Sequence, residues 1–362
     1  MADTYGKILK ITLFGESHSE SIGVVVDGFP AGVKLDMEFI NAEMARRAPG
    51  RDSMSTPRKE ADTPHIKSGF FEGRTTGTPL CAVIDNTNTR SQDYDRDLLR
   101  PSHADYTGKL RYGGWNDFRG GGHFSGRLTA PLVFAGALCK QYLKEQGIAV
   151  FAHLASVKDV HDAEFDLCGP DISLAEQVRE RELPVLEEAV IGPMKEAILT
   201  AKQAGDSVGG VVECAVCGVP AGIGSPFFES VESRLASMLF SVPAVKGVEF
   251  GLGFAIAKMN GSEANDPFIL EKGIIRTATN NNGGINGGIT NGMPIVFRTA
   301  IKPTPSIGME QDTVRFSNAE ACKTRVRGRH DPCIAHRAVC VVEAAAAIVI
   351  TDLYLEAKTY AR

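Results

Sequence analysis

Residues 337–356, Arg-Ala-Val-Cys-Val-Val-Glu-Ala-Ala-Ala-Ala-Ile-Val-Ile-Thr-Asp-Leu-Tyr-Leu-Glu, contain the longest apolar candidate segment of the chain and predict a long helix. The apolar part, residues 338–350, is interrupted by Glu343. It is also shorter than the roughly 20 residues that cross a bilayer. We therefore expect a helix of a protein that does not span a membrane.

Other stretches predict further helices and a set of strands. The predicted helices are residues 36–47, 129–145, 187–203 (interrupted at Pro193) and 229–239, with Asp36 as an N-cap and Gly147 as a stop. The predicted strands, rich in Val, Ile and Phe, are residues 23–29, 80–86, 209–219, 248–258 and 295–303. The strands and helices do not alternate regularly, which favours an α+β fold over a doubly wound sheet. Residues 159–183 are acidic and predict a loop, and no flexible linker is evident, so we expect one domain over residues 1–362.

The composition excludes several classes of protein. The 362 residues are 43% hydrophobic and 23% charged, which is ordinary for a globular protein and unlike a collagen, a coiled coil or a disordered chain. There are 39 basic and 44 acidic residues, and this net charge of -5 argues against a general nucleic-acid-binding role. The first seven residues lack the basic-then-apolar pattern of a signal peptide, so we expect a cytoplasmic protein.

The cysteines and the common motifs point away from metal and redox chemistry. Most of the 8 cysteines lie in apolar runs, which predicts reduced, buried thiols. Cys214 and Cys217 have the C-x-x-C spacing, but a strand would direct them to opposite faces. The chain has no His-Glu-x-x-His, P-loop or Gly-x-Gly-x-x-Gly motif, which disfavours zinc hydrolysis, P-loop phosphoryl transfer and dinucleotide binding.

Glycine and basic residues are concentrated in a few places. The chain has 38 glycines, where average usage predicts about 25. They cluster in polar stretches at residues 14–20, 100–127, 280–306 and 325–337. Residues 46–59 and 321–337 each hold five basic residues against one acidic residue. Because guanidiniums and exposed backbone N–H groups both bind oxyanions, we expect one or two small, multiply anionic ligands.

Each of these features alone has a structural explanation. A single Gly-rich loop is usually a turn, a single Arg run is usually a solvated face, and a single His is usually structural. Four such stretches in one chain favour an anion-binding enzyme. They do not identify a reaction.

The motifs taken in order resemble the chorismate synthase family over nearly the full length, most weakly at residues 150–235. The matching motifs are Phe-Gly-Glu-Ser-His at 14–18, Arg-Arg-x-Pro-Gly at 46–50, Thr-Thr-Gly-Thr-Pro at 75–79, Arg-Ser-Gln-Asp-Tyr at 90–94, Arg-Pro-x-His-Ala-Asp-Tyr-Thr at 100–107, Arg-Gly-Gly-Gly at 119–122, Ala-Val-Lys-Gly-Val-Glu at 244–249, Gly-Gly-Ile-x-Gly-Gly-Ile at 283–289, Lys-Pro-Thr-Pro-Ser at 302–306 and Gly-Arg-His-Asp-Pro-Cys at 328–333. Their number and order together are specific.

The resemblance implies a fold and a reaction. The implied fold is an α+β sandwich with helices between two antiparallel sheets, assembled as a homotetramer. The implied reaction converts 5-enolpyruvylshikimate 3-phosphate to chorismate by a 1,4-anti elimination of phosphate, with reduced FMN required and no net redox change. No flavin-reducing segment is evident, so we expect reduced FMN from an external source.

The resemblance also implies roles for particular residues. His18 matches the histidine thought to protonate the leaving phosphate, and His103 the one near flavin N1. Asp331 matches the carboxylate proposed to accept the substrate proton together with flavin N5, with an ion pair to Arg329 as the structural alternative. The implied substrate-binding residues are Arg47, Arg100, Arg127 and Arg337. The implied flavin-binding residues are His123, Phe124, Ser125, Ala244, Gly287, Lys302, Pro303, Thr304, Pro305, Ser306 and Arg329.

The chain departs from the family pattern at a few positions. Ser19 and Ser102 stand where glycines are common, and His123-Phe124 stand where Arg-Ser is common. His123 replaces an arginine charge only when it is protonated. Two other functions remain open: an FMN-dependent oxidoreductase acting on a small polyanion, and a non-enzymatic anion-binding or RNA-binding protein. The acidic net charge and the single Trp disfavour the second.

Overall fold

Two five-stranded antiparallel sheets form the outer layers of the protein in the computed structural model, which describes residues 3–50, 54–55, 60–88, 91–326 and 331–360. The strands are β1 Thr4–Tyr5, β2 Lys10–Gly15, β3 Ser21–Asp27, β4 His65–Ser68, β5 Phe70–Phe71, β6 Arg74–Thr75, β7 Leu80–Asp85, β8 Ala149–Val157, β9 Val160–His161, β10 Gly210–Cys217, β11 Val245–Phe250, β12 Phe268–Glu271, β13 Ile274–Thr277, β14 Ile285–Asn286, β15 Ile289–Thr290, β16 Ile295–Ile301, β17 Gln311–Val314 and β18 Ala321–Thr324. The first sheet has the order β1-β2-β3-β7-β4 and the second β11-β16-β10-β8-β9. The remaining strands pair as two-stranded ribbons.

Helices fill the space between the two sheets and also pack outside it. They are α1 Met37–Arg47, α2 Asp105–Arg111, α3 Thr129–Glu145, α4 Ala175–Glu180, α5 Ile191–Gln203, α6 Val231–Ser241, α7 Gly261–Ala264 and α8 Ala335–Tyr360. Helix α3 packs on β3 and β7 of the first sheet, and α8 packs on β8 and β10 of the second. The two helices also pack on each other, and a Cβ added at Gly136 of α3 would lie 2.3 Å from the Cβ of Ala344. The prediction of an α+β sandwich with helices between two antiparallel sheets is confirmed.

Helix α8 is the centre of the core, although it holds two fully buried carboxylates, Glu343 and Asp352. By length and composition it is the one helix of the described residues that could cross a membrane, and 89% of its most apolar window is buried inside the protein. The apolar run predicted at residues 338–350 lies within this longer helix, which has 26 residues.

Both buried carboxylates of α8 are paired with cations. Arg46 of α1 donates to Glu343 at 2.7 and 3.1 Å, and Lys140 of α3 contacts the same carboxylate. Burial would raise the pKa of Glu343, but the charges of Arg46 and Lys140 outweigh burial and hold it far below its usual value. Asp352 pairs with Arg234 of α6. These pairs tie α1, α3 and α6 to the central helix.

Local signals predicted helix boundaries well. Asp36 caps α1 and accepts from the backbone N–H groups of Glu38 and Phe39, and α3 has the predicted bounds. Gly147 follows α3 with a φ of 76°. The predicted interruption at Pro193 is wrong: α5 continues through it, because a proline in the first turn removes no intrahelical hydrogen bond.

Three sheet or loop predictions need correction. The predicted strand over residues 248–258 ends at Phe250, and Gly253–Lys258 forms a 3-10 helix. The predicted loop over residues 159–183 contains α4. Strand β8 was not predicted, although it lies inside the second sheet.

The ends of three helices meet at one place. Arg47, the last residue of α1, donates from Nε to Oγ1 of Thr129, the first residue of α3, at 3.0 Å. Arg337, in the first turn of α8, donates to the carbonyl oxygen of Arg47 at 3.1 and 3.0 Å. The positive ends of the α3 and α8 dipoles therefore lie together.

Candidate functional site

A cavity of about 500 Å³ opens at this junction, and its volume lies in the range of cofactor and small-molecule sites. Its walls come from the loop after β2, the ends of α1, α3, α6 and α8, and the loops around residues 100 and 304. The described residues that line it are Ser17, His18, Arg47, Pro49, Glu60, Asn88, Tyr94, Arg100, Ser102, His103, Ala104, Gly120, Gly121, Phe124, Ser125, Gly126, Arg127, Thr129, Val242, Pro243, Ala244, Lys302, Thr304, Pro305, Ser306, Asp331, Ile334, Arg337, Ala338 and Val341.

Arg47 and Arg127 occupy the inner wall and share one carboxylate. Nη1 of Arg47 lies 2.6 Å from Oδ2 of Asp62, and Nη1 of Arg127 contacts Oδ1. Burial would raise the pKa of Asp62, but the two guanidiniums outweigh burial and hold it below its usual value. The carboxylate is therefore ionised at neutral pH.

Arg337 pairs with Asp331 on the adjoining wall. Nη1 of Arg337 donates to Oδ2 of Asp331 at 2.7 Å. Burial lowers the pKa of Arg337, while the charge of Asp331 opposes that shift. The partner considered for Asp331 on sequence grounds, Arg329, lies outside the described residues. Asp331 is thus an ion-pair member that also faces the cavity.

Arg100 lines the cavity and is held by a two-pronged contact. Its Nε and Nη2 atoms donate to the carboxylate of Asp105 at 2.8 and 2.7 Å. Its guanidinium carbon lies 5.2 Å from the ring centre of Tyr94. The ring of Tyr94 also meets His18 edge-on, with 5.3 Å between centres. Tyr94 therefore links a candidate anion-binding group to a candidate acid.

His18 is positioned by the glycine-rich turn Arg119–Phe124. Gly120 has a φ of 60°, and a Cβ added there would lie 2.3 Å from Cε1 and 2.4 Å from Nδ1 of His18. The backbone of the turn is joined to the same loop, because Ser17 donates its N–H to the carbonyl of Gly122 at 3.0 Å. The glycine is thus needed for the close approach of the imidazole.

His103 also lines the cavity, and its contacts favour one tautomer. Its Nδ1 is 2.9 Å from the carbonyl oxygen of Pro101, which can only accept, so Nδ1 donates. Its Nε2 is 2.7 Å from Oγ of Ser306. Neutral His103 therefore accepts at Nε2, and protonated His103 donates there.

Two segments of the cavity wall have a strained backbone, and Lys302 hydrogen-bonds to both. Ser102, next to His103, and Ala244, before β11, have positive φ angles of 57° and 74°, which are uncommon for residues other than glycine. Lys302 donates from Nζ to the carbonyl of Ser102 at 3.1 Å and from its backbone N–H to Ala244 at 2.9 Å. Burial and the charge of Lys246 lower the pKa of Lys302. Strain of this kind is typical of ligand sites.

The cavity as a whole suits anions with a flat apolar part. Among the described residues, five cationic side chains line it against the two carboxylates of Glu60 and Asp331, and two long helices begin at it. Phe124, Val242 and Ile334 add apolar surface. Such a lining can bind a phosphate and a carboxylate, hold an aromatic ring system, and present two histidines for proton transfer.

The structure brings most of the candidate residues together. His18, His103, Asp331 and the four arginines line one cavity, and so do most of the residues implied for flavin binding: Phe124, Ser125, Ala244, Lys302, Thr304, Pro305 and Ser306. The role of each remains a prediction.

The other candidates lie elsewhere or outside the described residues. His123 turns away from the cavity, with Nδ1 donating to the carbonyl of Gly15 at 2.7 Å and Nε2 lying 3.2 Å from Asp3. Gly287, in the turn between β14 and β15, and Pro303 are not among the lining residues. Arg329 lies outside the described residues. Their proposed contacts with flavin are untested.

Sequence reasoning missed two acidic residues of the site, Glu60 and Asp62. Glu60 lines the cavity, 3.5 Å from Nε of Arg127, and Asp62 bridges the two arginines. The signal was present as Glu-Ala-Asp immediately after the basic run, since residues two apart in an extended chain share a face.

Comparisons with known proteins agree on one family. A family model described as chorismate synthase matches residues 9–355. A chorismate synthase of Thermococcus kodakarensis is 45% identical over 357 residues, covering 98% of this chain and 98% of the relative. One from Chitinophaga pinensis is 46% identical over 355 residues, covering 98% and 96%. A solved structure titled "Crystal Structure of Chorismate Synthase" has a TM-score of 0.78 and 31% identity, covering 98% of this chain and 93% of that one.

Proposed function

The chain belongs to the chorismate synthase family of carbon–oxygen lyases, and from that membership we propose that it converts 5-enolpyruvylshikimate 3-phosphate to chorismate. The proposed reaction is a 1,4-anti elimination of phosphate that requires reduced FMN and leaves no net change of redox state. The observation that supports it most is that, among the described residues, five cations, two histidines and two carboxylates line a single cavity.

The cations fit a substrate with a phosphate ester and carboxylates. Arg47, Arg127 and Arg337 lie on one wall, next to the starting turns of α3 and α8. Guanidiniums bind both kinds of anion through paired N–H groups. The substrate phosphate and carboxylate bind there, and Arg100 also lines the cavity.

Other residues of the cavity fit reduced FMN. Phe124 and Ala244 offer apolar surface, and Lys302 offers a charge for a phosphate. Reduced FMN held by these residues would supply electron density for breaking the C–O bond, and the protein would supply position and electrostatics.

The titratable residues of the cavity transfer the protons of the proposed reaction. His18, fixed against Gly120 and Tyr94, protonates the departing phosphate. His103 presents Nε2 beside Ser306, so it can hold a proton at the flavin side. Asp331, paired with Arg337, accepts the substrate proton.

Anaerobic incubation with the enolpyruvyl substrate and dithionite-reduced FMN tests the reaction. We expect phosphate and chorismate in equal amounts, many times over the amount of flavin. An oxidoreductase would instead consume a nicotinamide or flavin reductant in step with product, and that result would contradict an elimination.

Two substitutions test the proton-transfer roles. His18→Ala and His103→Ala should each lower turnover by 10²- to 10⁴-fold, which is the usual contribution of acid–base groups. His65→Ala is a matched control, because this exposed histidine lies away from the cavity lining. A His18 or His103 variant that keeps more than about a tenth of wild-type turnover would refute its assignment.

The remaining parts of the proposal follow from the family. They are a homotetramer, a cytoplasmic location, one domain over residues 1–362, and reduced FMN from the cell's reductases. Sedimentation of the purified protein tests the assembly. Sustained chorismate formation by the pure protein from NADPH and oxidised FMN in air would contradict an external source of reduced flavin.

A further inference from the structure

Asp62 makes an unusual contact with the two arginines of the inner wall. Its side chain is fully buried, with one carboxylate oxygen on Arg47 and the other on Arg127. Its φ is 51°, in the left-handed region that residues other than glycine seldom adopt. A buried carboxylate in a strained conformation between two cations indicates a position determined by function.

The two guanidiniums need such a carboxylate to lie side by side. Arg47 and Arg127 are 6% and 4% exposed, and the charge of each acts on the other through a poorly solvated space. Burial and the charge of Arg47 lower the pKa of Arg127, and the charge of Asp62 opposes them. The charge of Asp62 also acts on Arg337. With a neutral group at position 62, the two cations would repel each other.

The other contacts of the two arginines fix their direction. Arg47 donates to the carbonyl of Gly126 at 3.0 Å, and Arg127 donates to Oδ1 of Asn86 at 3.0 Å. Each guanidinium is thus held on one side by the cavity wall and on the other by Asp62. The carboxylate sets the spacing between them.

We propose that Asp62 is a positioning residue that pre-assembles Arg47 and Arg127 into one binding site for an oxyanion of the substrate. This rests on the proposed function, because it assigns the pair to the substrate rather than to the flavin. Asp62 acts through the arginines and does not itself contact the reacting atoms.

Steady-state kinetics of Asp62→Asn test the proposal. The amide can accept from one guanidinium but presents N–H groups to the other, so the spacing is lost. We expect KM for the enolpyruvyl substrate to rise about tenfold or more, with KM for reduced FMN changed less than about twofold. The inhibition constant of inorganic phosphate, used as a competitive inhibitor, should rise in parallel.

Tighter binding of substrate by the Asp62→Asn variant would contradict the proposal. If Asp62 merely competes with the substrate for the arginines, Asp62→Asn will bind phosphate and substrate more tightly. That outcome, or equal rises in both KM values, would overturn the proposal.

Asp352→Asn is the matched control for loss of a buried aspartate–arginine pair. Asp352 is fully buried, pairs with Arg234 and does not line the cavity. This variant should lose stability while both KM values stay at the wild-type level. If Asp62→Asn does not fold, Asp62→Glu replaces it, because that variant keeps the charge but moves it by one methylene. It should raise only the substrate KM, by about threefold or more, and unchanged kinetics would overturn the proposal.

Wild-type activity separates this inference from the proposed function. If the wild-type protein forms no chorismate with reduced FMN, the proposed function fails. If it forms chorismate and the Asp62 variants show wild-type KM values, only the role of Asp62 fails.

Discussion

Substitution of Gly120 by alanine should displace His18 and slow the reaction. The added Cβ would lie 2.3 Å from Cε1 of His18, and ordinary contact begins at 3.4 Å, so the imidazole must move by about 1 Å. A displacement of that size at a reacting group costs about 10²-fold in rate. The positive φ of 60° adds about 1–2 kcal/mol of backbone strain.

Gly121→Ala is the control that separates the two effects. Gly121 has a φ of 86°, so alanine there has similar strain, but its nearest neighbour would be Cβ of Ser125 at 3.8 Å. Both variants should therefore lose about 1–2 kcal/mol of unfolding free energy to backbone strain in urea titrations. Gly120→Ala should lose more, because its Cβ also meets His18 and Oγ of Ser17. Only Gly120→Ala should lose about 10²-fold in kcat.

The assay is chorismate absorbance under anaerobic conditions with saturating substrate and reduced FMN. Equal kcat values for Gly120→Ala and Gly121→Ala would show that His18 does not depend on this close approach. The acid role derived from its position would then lose its geometric basis.

Two further predictions concern stability. Ser102→Gly should stabilise the protein by about 1 kcal/mol in urea unfolding, because glycine tolerates the φ of 57°, while Ser102→Ala should give no gain; a less stable glycine variant would contradict this. His153 contacts Asp162 and Glu213 at 2.9 and 3.0 Å, and although burial opposes it, these hydrogen bonds raise its pKa above the usual value. The stabilisation from protonated His153 is fully present below the unfolded-state pKa of about 6.5, and it is lost as pH rises through the folded-state pKa. The unfolding free energy of wild type should therefore approach that of His153→Gln at alkaline pH, and parallel pH profiles would refute this.

Helix boundaries could be predicted from single residues of the sequence. Asp36 and Gly147 mark boundaries that agree with the structure, because capping and left-handed conformations depend on single residues. Strand β8 was missed because both of its faces are buried, so the sequence lacks the alternation that identifies a half-exposed strand.

The reaction could be predicted only through the family resemblance. Glycine and arginine clusters predicted anion binding, and the structure places those clusters around one cavity. The ion pairs of Asp62 with both Arg47 and Arg127 could not be predicted, because they depend on how α1 and α3 pack. The ring of His123 is a similar case: the spacing placed it in the glycine-rich turn, but packing directs it to the carbonyl of Gly15.

A crystal structure grown anaerobically with reduced FMN and the enolpyruvyl substrate would test most directly whether one cavity serves both ligands. We expect the substrate against Arg47, Arg127 and Arg337, and the flavin ring beside it within reach of His103. Either ligand bound at another surface, or the substrate phosphate out of reach of His18, would contradict the account.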